Sequence, residues 1–165
     1  MKRAPIVLAA CAVLLSAACG GGSDSSTGPN NNNNGSITGD GNISATFNGT
    51  AWRSLKSGDR VSKTGQFYGL SSVNPPYAIV ISIANVTAPG TFQLNLQAGG
   101  NGSSGIVSNS TGGWGTAFAG GTGTVTVTTL TASRIVGTFS FDAVPASGAA
   151  TGTLQVRNGT FDLTF

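Results

Sequence analysis

From Ile43 to the last residue, apolar side chains recur at every second position, in short runs that end at Gly, Asn or Pro. This is the period of a half-buried β-strand, whose successive side chains point to opposite faces of a sheet. No run of ten residues carries the 3.6-residue period of an amphipathic helix. Short alternating runs separated by turn residues are typical of antiparallel folds, so this region is predicted to be all-β.

A first hairpin is predicted around Asn48-Gly49. Ile43, Ala45 and Phe47 alternate before this pair, and the run Ala51-Trp52-Arg53 follows it. Both central residues of a type I′ turn need a positive φ, which Asn and Gly tolerate best. The chain is therefore expected to reverse here.

A second hairpin is predicted at Asn74-Pro75-Pro76, between strands at 66–73 and 77–85. Proline fixes φ and lacks the N–H that a strand ladder needs, so it ends the first strand. Within the second strand, residues 78–83 are apolar at nearly every position. The pattern predicts a central strand that is covered on both faces.

The rest of the chain predicts several further strands, with Gly137 and Gly152 as candidate β-bulges. About ten short strands with Thr-rich outer faces favour a single antiparallel β-sandwich over residues 37–165, with a closed or half-open barrel as the alternative. The further strands are expected at 91–96, 106–107, 124–130, 134–143, 151–157 and 160–165.

The first 18 residues have the three parts of a secretory signal peptide. Lys2 and Arg3 precede an apolar run at 6–15, and small residues at 16–18 precede Cys19. This order resembles a bacterial lipoprotein signal, which implies that Cys19 is the lipidated first residue and attaches the protein to a membrane. Such signals usually carry Leu where this chain has Ser16, and an ordinary cleaved signal is the alternative.

Residues 19–36 are rich in Gly, Ser and Asn, a composition that predicts a flexible tether between the anchor and the domain. Gly20 follows Cys19, and the absence of Asp at this position favours the outer membrane over the inner one. The expected location is therefore the bacterial cell envelope, with the domain held close to its membrane.

Three segments carry a resemblance to a known family: ISATFNGTAW, GTVTVTTLTASRIVGTFSFDA and the terminal NGTFDLTF. With the leader and tether, they are similar to a family of small bacterial lipoprotein domains to which no activity is assigned. The resemblance covers about residues 41–165. It implies export and an all-β fold, and it transfers no catalytic or binding residue.

Composition restricts the chemistry. The chain of 165 residues has no His, and all five of its acidic residues are Asp. It therefore lacks the usual general base of nucleophilic catalysis and the usual nitrogen ligand of zinc or iron. Asp40-Gly41-Asn42 begins like a calcium loop but lacks the remaining ligands. We predict no enzyme activity, no metal and no cofactor.

Charge excludes another class of partner. The net charge is +3, but Lys2 and Arg3 belong to the leader, so the remaining six basic and five acidic residues give +1. A nucleic-acid-binding surface needs clustered cations with interleaved aromatic residues. Nucleic acid is not an expected partner, and the sequence leaves the oligomeric state open.

Four of these six cations lie within eleven positions: Arg53, Lys56, Arg60 and Lys63. They are predicted to lie mostly in a loop after the first hairpin. Such a loop would form a rim facing lipid head groups or acidic glycans. The alternative is a solvated loop that keeps a charge-poor domain soluble.

Aromatic residues suggest a second kind of site. Trp114 is flanked by Gly112, Gly113 and Gly115, which makes it the best candidate for an exposed ring that stacks on a sugar. Tyr68 and Tyr77 are further candidates, whereas Trp52 is expected in the core. The sequence thus favours a non-catalytic binding module for a glycan, an envelope polymer or a protein, and the alternative is a structural envelope protein without a small ligand.

Overall fold

The computed structural model describes residues 39–95 and 102–165. The predicted signal peptide (1–18), Cys19 and the tether (19–36) lie outside the described residues. Within them the chain is all-β, with one short 3-10 turn at Lys56–Gly58 and no α-helix. The strands are β1 (Ile43–Phe47), β2 (Thr50–Arg53), β3 (Arg60–Thr64), β4 (Phe67–Asn74), β5 (Tyr77–Ile83), β6 (Gly90–Gln93), β7 (Ser104–Ser108), β8 (Gly112–Gly115), β9 (Thr122–Leu130), β10 (Arg134–Gly148) and β11 (Leu154–Thr164).

The eleven strands form one antiparallel sheet that is not closed into a barrel, in agreement with the predicted β-sandwich. We call its two parts layer A, with the order β2-β1-β11-β10-β9-β6, and layer B, with the order β3-β4-β5-β7-β8-β10. Strand β10 belongs to both. Its residues 134–143 pair with β9 and β11, and its residues 144–148 pair with β8. The closed-barrel alternative is therefore wrong.

The core lies between the inner sides of the two layers, where alternate residues of each strand are buried. At its centre in layer A are Phe139, Phe141 and Phe161. The ring of Phe139 stacks on that of Phe141 at 6.0 Å between centroids and on that of Phe161 at 6.4 Å. Two glycines make room for these rings, since Gly137 lies directly opposite Phe161 and Gly159 directly opposite Phe139.

Both predicted hairpins are present. Asn48 and Gly49 have φ values of 48° and 84°, as a type I′ turn requires, and they join β1 to β2. Strands β4 and β5 flank Pro75-Pro76, whose peptide bond is cis. The expectation that residues 78–83 are covered on both faces is wrong, because Val80 is 37% exposed.

The end of the chain differs from its prediction. Residues 151–157 and 160–165 were expected to form two strands, but β11 runs unbroken from Leu154 to Thr164. Asn158, at φ 53°, lies where the pairing register with both neighbouring strands shifts, so the Asn-Gly pair makes a bulge instead of a reverse turn.

Other local predictions had mixed outcomes. Gly137 does lie at a bulge, between β10 and β9. Gly152 lies outside the strands at φ 64°, so its assignment as a bulge is wrong. Strands β3 and β8 were not predicted, because β3 is polar at four of its five positions and β8 has the sequence GGWG.

Candidate functional site

The four clustered cations do not form one rim. Arg60 and Lys63 lie in β3, the end strand of layer B, and not in a loop as predicted. Arg60 pairs with Ser71 on the outer side of this layer, whereas Lys63 pairs with the buried Tyr68. Arg53 lies in β2 of layer A and Lys56 in the 3-10 turn. The interpretation as a single loop is wrong, because hydrogen bonds to β4 hold this polar segment as an edge strand.

Lys63 has a specific aromatic environment. Its Nζ lies 5.4 Å from the centroid of the Tyr68 ring and 5.3 Å from that of Phe165. Tyr68 is only 3% exposed and makes an edge-to-face contact with Phe165. A charged side chain at an edge strand also blocks pairing with a further strand. Tyr68 and Lys63 therefore stabilise the edge of the sandwich, and Tyr68 has no free face for a sugar.

Trp114 is not the exposed ring that its glycine neighbours suggested. It pairs with Val107, which is completely buried, so both side chains lie on the inner side of layer B. Its indole N–H donates to the carbonyl oxygens of Thr151 and Gly152 at 3.3 and 3.2 Å. Trp114 is half-buried against the core. Trp52 is buried, as predicted.

A groove of about 290 Å³ lies where the turn between β1 and β2 meets the turn between β4 and β5. Its aromatic wall consists of Phe47, Trp52 and Tyr77. The centroid of the Phe47 ring lies 5.1 Å from that of Trp52 and 5.0 Å from that of Tyr77, which it meets edge-to-face. Pro75 and Pro76 line the same groove. Phe47 and Trp52 are themselves buried, at 3% and 7% exposure, so Tyr77 and the two prolines supply the accessible apolar surface of the groove.

Hydrogen bonds hold the two turns together. The indole N–H of Trp52 donates to the Asn74 carbonyl at 2.9 Å, and the Asn74 amide donates to the Arg53 carbonyl at 2.8 Å. The backbone N–H of Leu55 also donates to the Val73 carbonyl. We call these contacts the seam, because they join the end of β2 in layer A to the end of β4 in layer B. The groove is therefore formed by the fold itself.

Polar groups border the aromatic wall. Arg53 lines the groove, and its Nε donates to the Gly41 carbonyl at 2.8 Å. Asn48 and Thr50 lie on the opposite turn, where the side-chain oxygen of Asn48 accepts from the Gln155 backbone N–H. The described residues that line the groove include no Asp or Glu. The groove can offer ring stacking, hydrogen bonds and one positive charge.

Sequence reasoning found part of this site. Tyr77 and Arg53 were candidates, but they were assigned to different kinds of site. Phe47 and the two prolines were missed as lining residues, and Trp52 was expected only in the core. The Asn-Gly and Asn-Pro-Pro signals locate both turns, but only the strand order shows that they meet.

The charged groups elsewhere have structural partners. The Arg134 guanidinium donates two hydrogen bonds to Asp162, which holds the pKa of that carboxyl below its ordinary value and raises the pKa of the guanidinium. Arg157 pairs with Asp142. Asp59 accepts from the Asn42 backbone N–H and the Ser72 hydroxyl.

Two features are absent from the described residues. Residues 39–95 and 102–165 contain no group of three potential metal ligands. The same residues form no helix that could span a bilayer.

No family model matches the chain, and no curated protein or solved structure is significantly similar to it. The resemblance to bacterial lipoprotein domains therefore stays a prediction.

Proposed function

We propose that this chain is an exported, lipid-anchored domain of the bacterial cell envelope that binds a glycan without catalysis. The address is supported by the three-part leader at 1–18, by Cys19 after small residues, and by the Gly-, Ser- and Asn-rich tether. The observation that carries the binding role is the aromatic groove between the two hairpin turns.

The shape and lining of the groove favour a single sugar ring. Ligand sites are typically concave, with an apolar lining and a few placed polar groups, and volumes from about 300 Å³ upward. The groove lies at the lower end of this range. One face of a pyranose carries C–H groups that stack on aromatic rings, and its edge carries hydroxyls. The Tyr77 ring offers a surface for the C–H face, and Arg53 offers hydrogen bonds to the hydroxyls.

Charge narrows the class of glycan. Arg53 is the one cation among the described residues that line the groove, and these residues include no carboxylate. Its side chain lies at the border of the groove, where it donates to the Gly41 carbonyl on the outer side of layer A. A guanidinium binds carboxylate or phosphate oxygens through paired hydrogen bonds. A sugar with an acidic substituent, as in envelope polymers, therefore fits a groove with one cation and no carboxylate better than a cationic sugar does.

The same lining argues against glycoside hydrolysis. Glycosidases generally need two carboxyl groups on either side of the bond that is cleaved. In the described chain, Asp142 and Asp162 instead pair with arginines on the outer side of layer A. Recognition without bond cleavage is the chemistry that the groove supports.

The experiment is a thermal-shift screen of the mature chain from residue 19 with Cys19→Ser, using acidic and neutral glycans, peptidoglycan fragments and lipopolysaccharide. A ligand at a hundredfold excess over its Kd stabilises the folded state by about 2.7 kcal/mol, which raises Tm by several degrees. Arg53→Ala should abolish the shift from acidic glycans. Arg134→Ala removes a strand arginine far from the groove and should leave it unchanged.

A flat screen with a cooperative melt would overturn the binding role. It would favour the alternative, a structural envelope protein without a small ligand. One observation already points in that direction: Tyr68 and Trp114, two of the three aromatic residues expected to stack on a ligand, pack inward. A shift that survives both Arg53→Ala and Tyr77→Ala would place the ligand outside the groove.

A further inference from the structure

The two outer faces of the sandwich differ in chemistry. Residues directly opposite each other on neighbouring strands share a face, so the register defines rows that cross a whole layer. In layer A one such row is polar from end to end, and two of its hydroxyl pairs are hydrogen-bonded, Thr91 to Thr126 and Ser44 to Thr160. The row consists of Thr91, Thr126, Thr138, Thr160, Ser44 and Arg53.

The corresponding row of layer B is largely apolar. It consists of Val144, Gly115, Ile106, Val80, Ser71 and Arg60. The Phe118 ring covers Gly115, since a Cβ built on that glycine would lie 3.3 Å from the ring. Ile106 is 40% exposed and Phe118 49%. We call the outer side of layer B the apolar face.

This asymmetry extends beyond one row. Of the six exposed large apolar side chains among the described residues, five lie on the apolar face, and the sixth, Phe165, lies at the edge against Tyr68. Single exposed apolar residues are ordinary, but a grouped set marks an interaction surface. The five are Phe67, Val73, Val80, Ile106 and Phe118.

Charge indicates what covers this face. Arg60 ends its central row, and Lys56 lies nearby in the turn that precedes β3. Asp142 and Asp162 pair with arginines of layer A. Asp59 directly precedes Arg60, but its carboxylate accepts from the Asn42 backbone N–H and the Ser72 hydroxyl, and the Asp40 carboxylate accepts from the Lys56 backbone N–H. Because these carboxylates are bonded within the chain, a second copy of this face would bring no free carboxylate to Arg60. A bilayer with anionic head groups would bring phosphates to it.

The position at which the described chain begins also bears on which side of the domain is near the membrane. The described segment begins at Gly39, and Gly41 bonds to the Ser54 carbonyl through its backbone N–H. The next residue, Leu55, bonds to the carbonyl of Val73, a member of the apolar face. The described chain therefore begins at the seam, where one edge of the apolar face meets layer A. The predicted tether of about twenty residues would keep Cys19 within roughly 25 Å of this edge.

We propose that the apolar face rests on the anionic surface of the membrane to which the protein is anchored, with Phe118 and Ile106 at the acyl boundary and Arg60 at the phosphates. The inference rests on the proposed envelope location. It adds the orientation of the domain to that location, because the Thr-rich face of layer A is turned away from the bilayer. Binding of this kind combines burial of apolar area with attraction to anionic lipids.

The test is flotation of the unlipidated mature chain (Cys19→Ser) with vesicles of phosphatidylethanolamine and phosphatidylglycerol. The double variant Val80→Thr with Ile106→Thr keeps branching at Cβ and strand preference but removes apolar surface, and should weaken vesicle binding on the order of tenfold. Thr126→Val with Thr138→Val makes the opposite exchange on layer A and should leave binding unchanged. Arg60→Gln should weaken binding to these vesicles, with no effect on phosphatidylcholine vesicles.

Position in the bilayer is checked separately. Phe118→Trp places a fluorophore on the apolar face. Combined with Trp52→Phe and Trp114→Phe it is the single tryptophan of the chain, and brominated acyl chains should quench it. Equal vesicle binding by the wild type and the Val80→Thr, Ile106→Thr variant would overturn the proposal. A dimer in sedimentation that this variant abolishes, without any vesicle binding, would overturn it in favour of self-association.

Failure of this inference is distinguishable from failure of the proposed function. Vesicle binding by the unlipidated chain depends on neither Cys19 nor the groove, so Arg53→Ala should leave it unchanged. Lipidation is read independently, by the mass of the N-terminal peptide from the full chain expressed in a bacterium. Glycan binding without vesicle binding would overturn only the orientation.

Discussion

Substitution of Gly159 by alanine tests the packing of the core most directly. This glycine lies in β11 opposite Phe139, and a Cβ built on it would lie 2.4 Å from both Cδ2 and Cε2 of that ring. Cβ atoms essentially never come closer than 3.0 Å to such neighbours. Phe139 has little freedom to move, because it is 3% exposed and stacks between Phe141 and Phe161. Gly159→Ala must therefore displace the aromatic stack.

The expected cost follows from two opposing terms. Insertion of a methyl group into a packed core typically costs about 1–3 kcal/mol. Alanine loses less backbone entropy on folding than glycine, which returns about 0.4–1 kcal/mol where φ is compatible. Gly159 is not among the glycines with positive φ, so this term applies. The net expectation is a destabilisation of about 1–2 kcal/mol, or a fall in Tm of roughly 3–10 °C.

Urea unfolding followed by far-UV circular dichroism measures this loss of stability. A double-mutant cycle shows whether it arises from the contact with Phe139. In a Phe139→Leu background the ring carbons are gone, so Gly159→Ala should cost little or nothing. Gly49→Ala is the matched control: its Cβ meets open space, but φ is +84°, so its backbone cost should be the same in both backgrounds. An equal cost of Gly159→Ala in both backgrounds, or a gain in stability, would refute the steric argument.

Two further predictions concern charge and exposure. Hydrogen bonds from Arg134 hold the pKa of Asp162 below its ordinary value of 3.8. The stability that this pair contributes is therefore present above about pH 4, and it is lost as the pH falls through the lowered pKa of the folded state. Arg134→Ala should raise the pKa of Asp162 in a carbon-13 NMR titration, and an unchanged pKa would contradict the pairing. In acrylamide quenching, Trp52→Phe should leave a partly accessible Trp114 and Trp114→Phe a protected Trp52, and equal accessibility would contradict their positions.

The alternating pattern predicted the fold class because it records which side of each strand is buried. Phe161 and Leu163 are buried and Asp162 is exposed, as the spacing implies. The pattern is absent from β3, where only Val61 approaches the core. An edge strand is held by backbone hydrogen bonds on one side and needs no apolar face, so such strands escape a prediction based on periodicity.

The same limit explains the errors at Asn158 and Trp114. An Asn-Gly pair supplies a positive φ, which serves a bulge as well as a hairpin, and the sequence does not distinguish them. The glycines around Trp114 suggested an open surface. The side of layer B on which the Trp114 ring lies is set by its pairing with Val107 of β7. The sequence around Trp114 does not show that these two strands pair.

Some residues that form the seam also line the groove, so a structural role could explain part of the proposed site. An open sandwich must close the gap between its layers at the open edge, and the hydrogen bond from Trp52 of β2 to Asn74 of β4 does so here. A structural role would account for Trp52, Asn74 and the proline turn. It accounts less well for Arg53, whose backbone carbonyl takes part in the seam while its side chain makes a single hydrogen bond to Gly41. Arg53→Ala therefore separates the two readings, since it should remove binding while the seam and the fold persist.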